Sequence, residues 1–321
     1  MAVPVSAWII LLLIALLPVA SLLLVLSRLW CLYARRTRLL SGAPRLVERR
    51  AVWASAAACL GLSAACAGYA LFVEPQWIEV TRIEVAVPRA LLGRERLRIV
   101  HLSDLHLEGF GARERSVIEA VREAAPHLII LTGDYMNEGG AQNDLVNFLK
   151  SIEAPHGVFG VGGNWDGKWP VAELFASAGA TYLRDDWRLV GGDVLLVGQD
   201  YHATKSLAEL LEGASDGPYR VFLHHSPDAV DELARGRVDL FLCGHTHGGQ
   251  VRLPFYGALL TMTRHGRRYE QGRYGVAPPA SAHPDGTTMY VNRGVGMSGF
   301  GPRVRFLARP EVAIIDLVAA R

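Results

Sequence analysis

Cysteine is scarce in this chain, with four in 321 residues. Cys31, Cys59 and Cys66 lie in or beside apolar stretches, which leaves Cys243 as the sole cysteine of the remainder. The globular part therefore has no internal disulfide, and burial alone must hold it. Charge is absent from two long stretches, residues 1–27 and 51–73. At about 1.5 Å rise per residue, either could cross a hydrocarbon core about 30 Å thick. We expect a two-helix transmembrane hairpin, with helices at about 7–27 and 51–73. A cleaved signal peptide is the rival for the first, but a basic n-region is missing and the apolar core is long. The second is Ala-rich and contains Gly61 and Gly68, so a buried or interfacial helix is its rival.

Residues 28–50 hold seven arginines against Glu48, a net of +6. A short basic loop between spans belongs in the cytoplasm. Both chain ends then lie on the far side, giving a multi-pass inner-membrane protein with an extracytoplasmic catalytic domain. Basic surplus is missing from the rest: the chain totals +2, so residues 74–321 sum to −4. That excludes the footprint of a duplex binder, and no nucleic-acid partner is expected. Repeats and low-complexity tracts are also missing. Gly294, Gly296, Gly299 and Gly301 form a glycine-rich run without the Gly-Lys-Ser/Thr ending of a P-loop.

The expected domains are a membrane anchor over 1–74 and one globular domain over 75–321. Strands are predicted at 77–87, 97–102, 128–131, 157–161, 180–183, 187–190, 194–197, 221–223, 238–243, 289–292 and 312–317. Helical spacing covers 114–125, 144–152, 207–211 and 229–234. This β-α alternation implies an α/β layered fold. Polar residues stand at the C-terminal strand ends, where ligands bind in open α/β sheets.

Those strand ends carry Asp104-Leu105-His106, Gly133-Asp134, Gly163-Asn164-Trp165-Asp166, His224-His225 and Gly244-His245-Thr246-His247. Asp104, His106, Asp134, Asn164, His225, His245 and His247 are oxygen and imidazole donors suited to divalent metal. Two metals about 3.5–4 Å apart activate water and bind a phosphoryl group, and one carboxylate must bridge them. His101 reads as a core residue or a support for the ligands. Arg264, Arg267, Arg268 and Arg273 read as a solvated loop, or as a rim attracting an anionic or lipid headgroup.

The order Asp-x-His, Gly-Asp, Gly-Asn-x-Asp, His and Gly-His-x-His resembles the calcineurin-like metallophosphoesterase family. His245 to Pro254, Asn292-Arg293-Gly294 and Arg309-Pro310-Glu311 resemble its membrane-associated bacterial branch. The resemblance covers about residues 76–318. It implies a four-layer α/β/β/α sandwich around two divalent ions of Mn, Fe or Zn. Asp104, His106 and His247 would hold one ion, Asn164, His225 and His245 the other, and Asp134 would bridge. It further implies attack on phosphorus by a metal-bridging hydroxide. Asp134, Asn164 and His247 would be catalytic, and Asn164, Trp165 and Arg293 would bind substrate. The expected substrate is a phosphoester or pyrophosphate, on a small molecule or an envelope lipid.

Trp165 departs from the family pattern, which usually has His there. Indole donates a hydrogen bond but cannot transfer a proton. Leaving groups that need no protonation would suffer least, and UDP-diacylglucosamine pyrophosphohydrolases, a related branch, also tolerate a non-His residue here. His224 or His202 could otherwise act as the acid. The alternative from another class is a membrane-tethered metal-binding sensor with little catalytic activity.

Overall fold

The computed structural model describes residues 44–277, 285–298 and 303–320, with six single positions between 23 and 34. The chain divides into two compact units, Met1–Val73 with Phe300–Pro302, and Glu74–Gly299 with Arg303–Arg321.

In the first unit, α1 (Pro44–Gly68) runs into a π-helical turn at Tyr69–Val73. Trp53–Gln76 spans 24 residues with mean hydropathy 1.8, long and apolar enough to cross a bilayer. A core helix of a soluble unit is mostly buried, whereas only 6% of the most apolar window of this one is. The expected helix at 7–27 and most of the basic segment 28–50 lie outside the described residues. The end of that segment differs from the expected loop, because Pro44–Arg50 is already helical. Arg, Leu and Glu are good helix formers, so charge there does not break the helix.

The second unit is built on two six-stranded sheets. The first is ordered β1 (Glu79–Val87), β14 (Glu311–Ala319), β2 (Arg96–Leu102), β3 (Leu128–Thr132), β4 (Val158–Val161), β5 (Thr181–Tyr182). The second is ordered β12 (Gly272–Val276), β13 (Thr287–Val291), β9 (Leu240–Cys243), β8 (Tyr219–Leu223), β7 (Val194–Gly198), β6 (Asp186–Val190). Strands β2, β3 and β4 are mutually parallel, as are β7, β8, β9 and β13.

Why the sheets stack follows from the strand sequences. Ile99, Leu128, Ile130 and Val161 meet Leu196, Val221, Leu223 and Leu242 in one buried cluster between them. The strands' opposite faces are apolar too, as fully covered parallel strands require. Val100, Ile129 and Leu131 pack beneath α2 (Ala112–Ala124) and α3 (Gln142–Lys150). Val197, Phe222 and Phe241 pack under α5 (Leu207–Leu210) and the 3-10 stretch Pro227–Arg235. Three apolar layers thus separate four layers of elements, α/β/β/α.

Elements absent from the sequence reading are short or polar. They are α4 (Val171–Ser177), the hairpin β10 (Arg252–Leu253) and β11 (Gly257–Ala258), and edge strand β12. Strand β12 takes Arg273 out of the expected loop, and an exposed arginine suits a sheet edge.

Ile99 lies fully buried in the inter-sheet cluster. Ile99→Ala should cost about 2–5 kcal/mol, read as a lower denaturation midpoint. An unchanged midpoint would mean that the two sheets do not share that core.

Candidate metal centre

The parallel strands end side by side, and their first loop residues converge. Asp104 follows β2, Asp134 follows β3, Asn164 follows β4, His225 follows β8 and His245 follows β9. Five residues of these loops have left-handed backbones: Asp104 (φ 50°), His106 (43°), Asp134 (55°), His245 (70°) and His247 (52°). Each such non-glycine conformation costs on the order of 1–3 kcal/mol and persists only where its surroundings enforce it. Asp and His tolerate it better than most residues.

Close approach of the loops requires glycine at two positions. A Cβ on Gly133 (φ 85°) would come within 2.5 Å of the Gly163 nitrogen. A Cβ on Gly244 would collide with Ser103 and Asp104. Asp166 then ties the loops, accepting from the N–H groups of Asp134 (2.8 Å), Tyr135 (3.0 Å) and Gly163 (2.7 Å).

Two groups of possible ligands result: Asp104, His106 and His247, and Asp134, His225 and His245, with ligand atoms within 4.8 Å of one another in each. Each aspartate has one oxygen tied and one turned inward. Asp104 Oδ2 accepts from Ser103 Oγ (2.5 Å) and the His245 N–H (3.0 Å). Its Oδ1 is buried without a hydrogen-bond partner, 3.3 Å from His247 Nε2. Asp134 Oδ1 accepts from the Trp165 N–H (2.9 Å). Its Oδ2 lies between the groups, 3.6 Å from His106 Nε2 and 3.3 Å from His225 Nε2.

The imidazoles are oriented from behind. His106 Nδ1 meets Asn137 Oδ1 (2.7 Å), His225 Nδ1 meets the Thr132 carbonyl (2.7 Å), and His245 Nε2 meets the Met262 carbonyl (3.2 Å). Donation to these oxygens leaves a lone pair on the inner nitrogens of His106 and His245, and on that of His225 once its second proton is lost. The inner nitrogens of His106 and His247 are 3.2 Å apart, and those of His225 and His245 3.1 Å. Asn164 Oδ1 is 3.0 Å from His225 Nε2.

Burial, against the pull of Asp134, lowers the pKa of His106 to about 4. Burial and the neighbouring His225 lower that of His245 to about 4 as well. Burial and His106 hold His247 well below its ordinary value. His225 goes the other way: burial opposes its charge, but Asp134 and Asp104 outweigh this and raise it to about 10. Without metal, one imidazolium thus supplies the positive charge that two buried carboxylates demand. Unpartnered carboxylate oxygen, converging lone pairs and amide oxygen form a donor set that fits divalent cations.

Comparison with known proteins agrees with this geometry. Residues 97–249 match the family model described as calcineurin-like phosphoesterase. YkuE of Bacillus subtilis, an uncharacterized metallophosphoesterase, is 31% identical over 271 residues, covering 78% of this chain and 89% of that protein. This chain belongs to the calcineurin-like metallophosphoesterase family. As such it is a metal-dependent phosphoester hydrolase. Phosphodiesterase YaeI of Escherichia coli is 30% identical over 297 residues, 85% of this chain and all of that one. UDP-2,3-diacylglucosamine pyrophosphatase LpxG of Chlamydia muridarum is 25% identical over 305 residues, 77% of this chain and 91% of that one.

The remaining expected residues of this metallophosphoesterase fall as follows. Trp165 sets its ring edge-on to His106, with centroids 5.8 Å apart. Lys168 Nζ sits 4.4 Å over the indole. Arg293 directs its guanidinium to Glu79 (3.0 Å), Glu311 (3.2 Å) and Thr81 (3.3 Å). His224 stays outside the groups, with Nδ1 3.0 Å from the Ser226 carbonyl. It lines a groove of about 490 Å³ together with Tyr201, Lys205, Asp228 and Arg264. Tyr201 joins groove to centre, its ring 5.8 Å from that of His225.

His101 was expected as a core residue or a support, but its partners escaped the sequence reading. His101 Nε2 meets Thr132 Oγ1 (2.9 Å), which donates to Ser103 Oγ (2.8 Å), which donates to Asp104. Arg305, fully buried, donates to the carbonyls of Arg293, Gly294, Gly296 and Ala308. It thereby braces the loop whose Gly296 N–H bonds the Asp104 carbonyl. A lone arginine between Val304 and Phe306 gave the only hint, because a serine or threonine at a strand end looks ordinary.

Thr132→Val breaks the relay to Asp104 while keeping shape. Metal affinity should fall about 10–100-fold, measured by titration against a competing chelator. Unchanged affinity would show that the relay does not order Asp104. Metal entry must also displace the proton on His225. From neutral pH up to its pKa of about 10, apparent affinity should rise about tenfold per pH unit, one proton released per binding event. Calorimetry in buffers of different ionisation heat counts that proton, and a count of zero refutes it.

Proposed function

We propose that this metallophosphoesterase is a membrane-anchored, dinuclear hydrolase of a phosphoester or pyrophosphate bond in an envelope molecule. One observation carries the reading: carboxylate and imidazole donor atoms converge in two buried clusters on strained backbone. In this reading Asp104, His106 and His247 hold one divalent ion, Asn164, His225 and His245 the other, and Asp134 bridges. Bound ions of Mn, Fe or Zn would supply an activated water and charge neutralisation for a phosphoryl group. Asp134 stays ionised for this: burial works against its charge, but His225 holds its pKa down to about 2. Asn164 turns Oδ1 inward and keeps its amide N–H groups for a phosphoryl oxygen.

The acid step narrows the substrate. Burial, countered by its bond to the Ser226 backbone, lowers the pKa of His224 to about 4, which makes it a poor proton donor at neutral pH. The exposed His202 ring lies beside the loop after Trp165, where a Cβ on Gly167 would come within 3.3 Å of it. A leaving group that departs without a proton, such as the phosphate of a pyrophosphate, suits this site. The relative acting on UDP-2,3-diacylglucosamine points to the same class. Anchoring rests on Trp53–Gln76, and the arginine-rich segment argues for a catalytic domain outside the cytoplasm.

Asp134→Asn should lower metal-dependent turnover of an aryl phosphodiester by about a thousandfold or more, with the fold intact by circular dichroism. Undiminished turnover would sink the assignment. Trp165→His should raise hydrolysis of alkyl phosphoesters at least about tenfold relative to aryl esters. An equal change for both would mean that position 165 plays no part in proton supply.

A further inference from the structure

The hairpin beside the metal centre exposes side chains that a soluble surface normally covers. Leu253, Phe255, Tyr256, Leu259, Leu260 and Met262 are all exposed within ten residues, Phe255 completely and Met262 to 68%. Two of them sit on left-handed backbone, Phe255 at φ 63° and Met262 at φ 57°. For a bulky residue that is a genuine outlier. The turn thus holds phenylalanine outward at a conformational cost, with no packing in the unit to offset it. Contiguous apolar patches of this kind mark interaction sites.

Charge identifies the partner. Residues 252–273 contain five arginines and one acid, Glu270, in a unit whose total is −4. Glu270 is committed to the Ala258 N–H (2.7 Å) and to Arg252 (3.4 Å). Arg267 lies 4.0 Å over the Tyr256 ring, and Arg264, Arg267, Arg268 and Arg273 are exposed. Arg264 is paired with Asp228 and Asp231 (3.4 Å to the latter), whereas Arg267 stands against Tyr256 of the tip itself. An apolar tip flanked by guanidinium matches the two layers of a bilayer face, acyl chains beneath anionic headgroups.

We propose that the 253–262 hairpin is a second membrane contact, inserting into an anionic lipid surface. This rests on the membrane-anchored reading above. The contact bears directly on catalysis, because the Met262 carbonyl accepts from His245 and the hairpin backbone packs on Gly249. An inserted hairpin brings the mouth of the centre to the plane of lipid phosphates.

The test uses the full chain in vesicles of phosphatidylglycerol or phosphatidylcholine, with flotation and amide hydrogen exchange read together. Exchange over 253–262 should be about tenfold slower on phosphatidylglycerol than on phosphatidylcholine. Phe255→Asp with Leu260→Asp should abolish the difference while leaving hydrolysis of a soluble aryl phosphodiester unchanged. Flotation with equal exchange on both lipids overturns hairpin docking and leaves the anchor standing. Protection that rises with protein concentration on either lipid gives the surface to a second copy of this chain and overturns the proposal. Failure to float with anionic vesicles overturns the anchor and the docking together.

Discussion

Everything around the centre answers to two buried carboxylates whose one nearby imidazolium is His225. Asp104 and Asp134 each spend one oxygen on fixed N–H or O–H donors and turn the other inward. Most of the surrounding imidazoles are too buried to protonate, so they offer lone pairs instead of charge. Such an arrangement is costly as it stands, since buried charge needs a partner. A divalent cation is the partner whose chemistry satisfies carboxylate, imidazole and amide oxygen together.

Holding that arrangement governs the neighbouring structure. Left-handed backbones at five of the seven donor residues aim side chains that regular strands would send up or down. The strain persists because Asp166 ties three loop N–H groups and Arg305 ties four carbonyls. The two-sheet core gives these loops a rigid base, with cluster residues such as Leu131, Leu223 and Cys243 immediately preceding them. The donors sit on loops held directly by the strand ends, while the groove and the exposed hairpin lie on longer loops and a short ribbon. That division is expected of a site whose chemistry is constant and whose specificity is local.

The sequence by itself determined the class of chemistry and the α/β alternation; the order of the layers was only what the family resemblance implied. Periodicity located the strands because parallel strands covered on both faces read as short apolar runs, as in Leu128–Thr132. Donor residues stood out because each follows such a run. Pairing of distant loops left no sequence signal. Ser103, Thr132 and Arg305 became supports only when strands far apart in the chain came side by side. Arg293 looked available for substrate and is instead bound to Glu79 and Glu311. His225 was the expected ligand of the adjacent pair, and strand β8 turns it inward while His224 bonds the Ser226 carbonyl. Exposure of the 253–262 hairpin likewise belongs to the tertiary structure, since its apolar residues read like any others until packing left them uncovered. Local pattern decides which residues can do the chemistry; only the meeting of loops from two sheets decides which of them do.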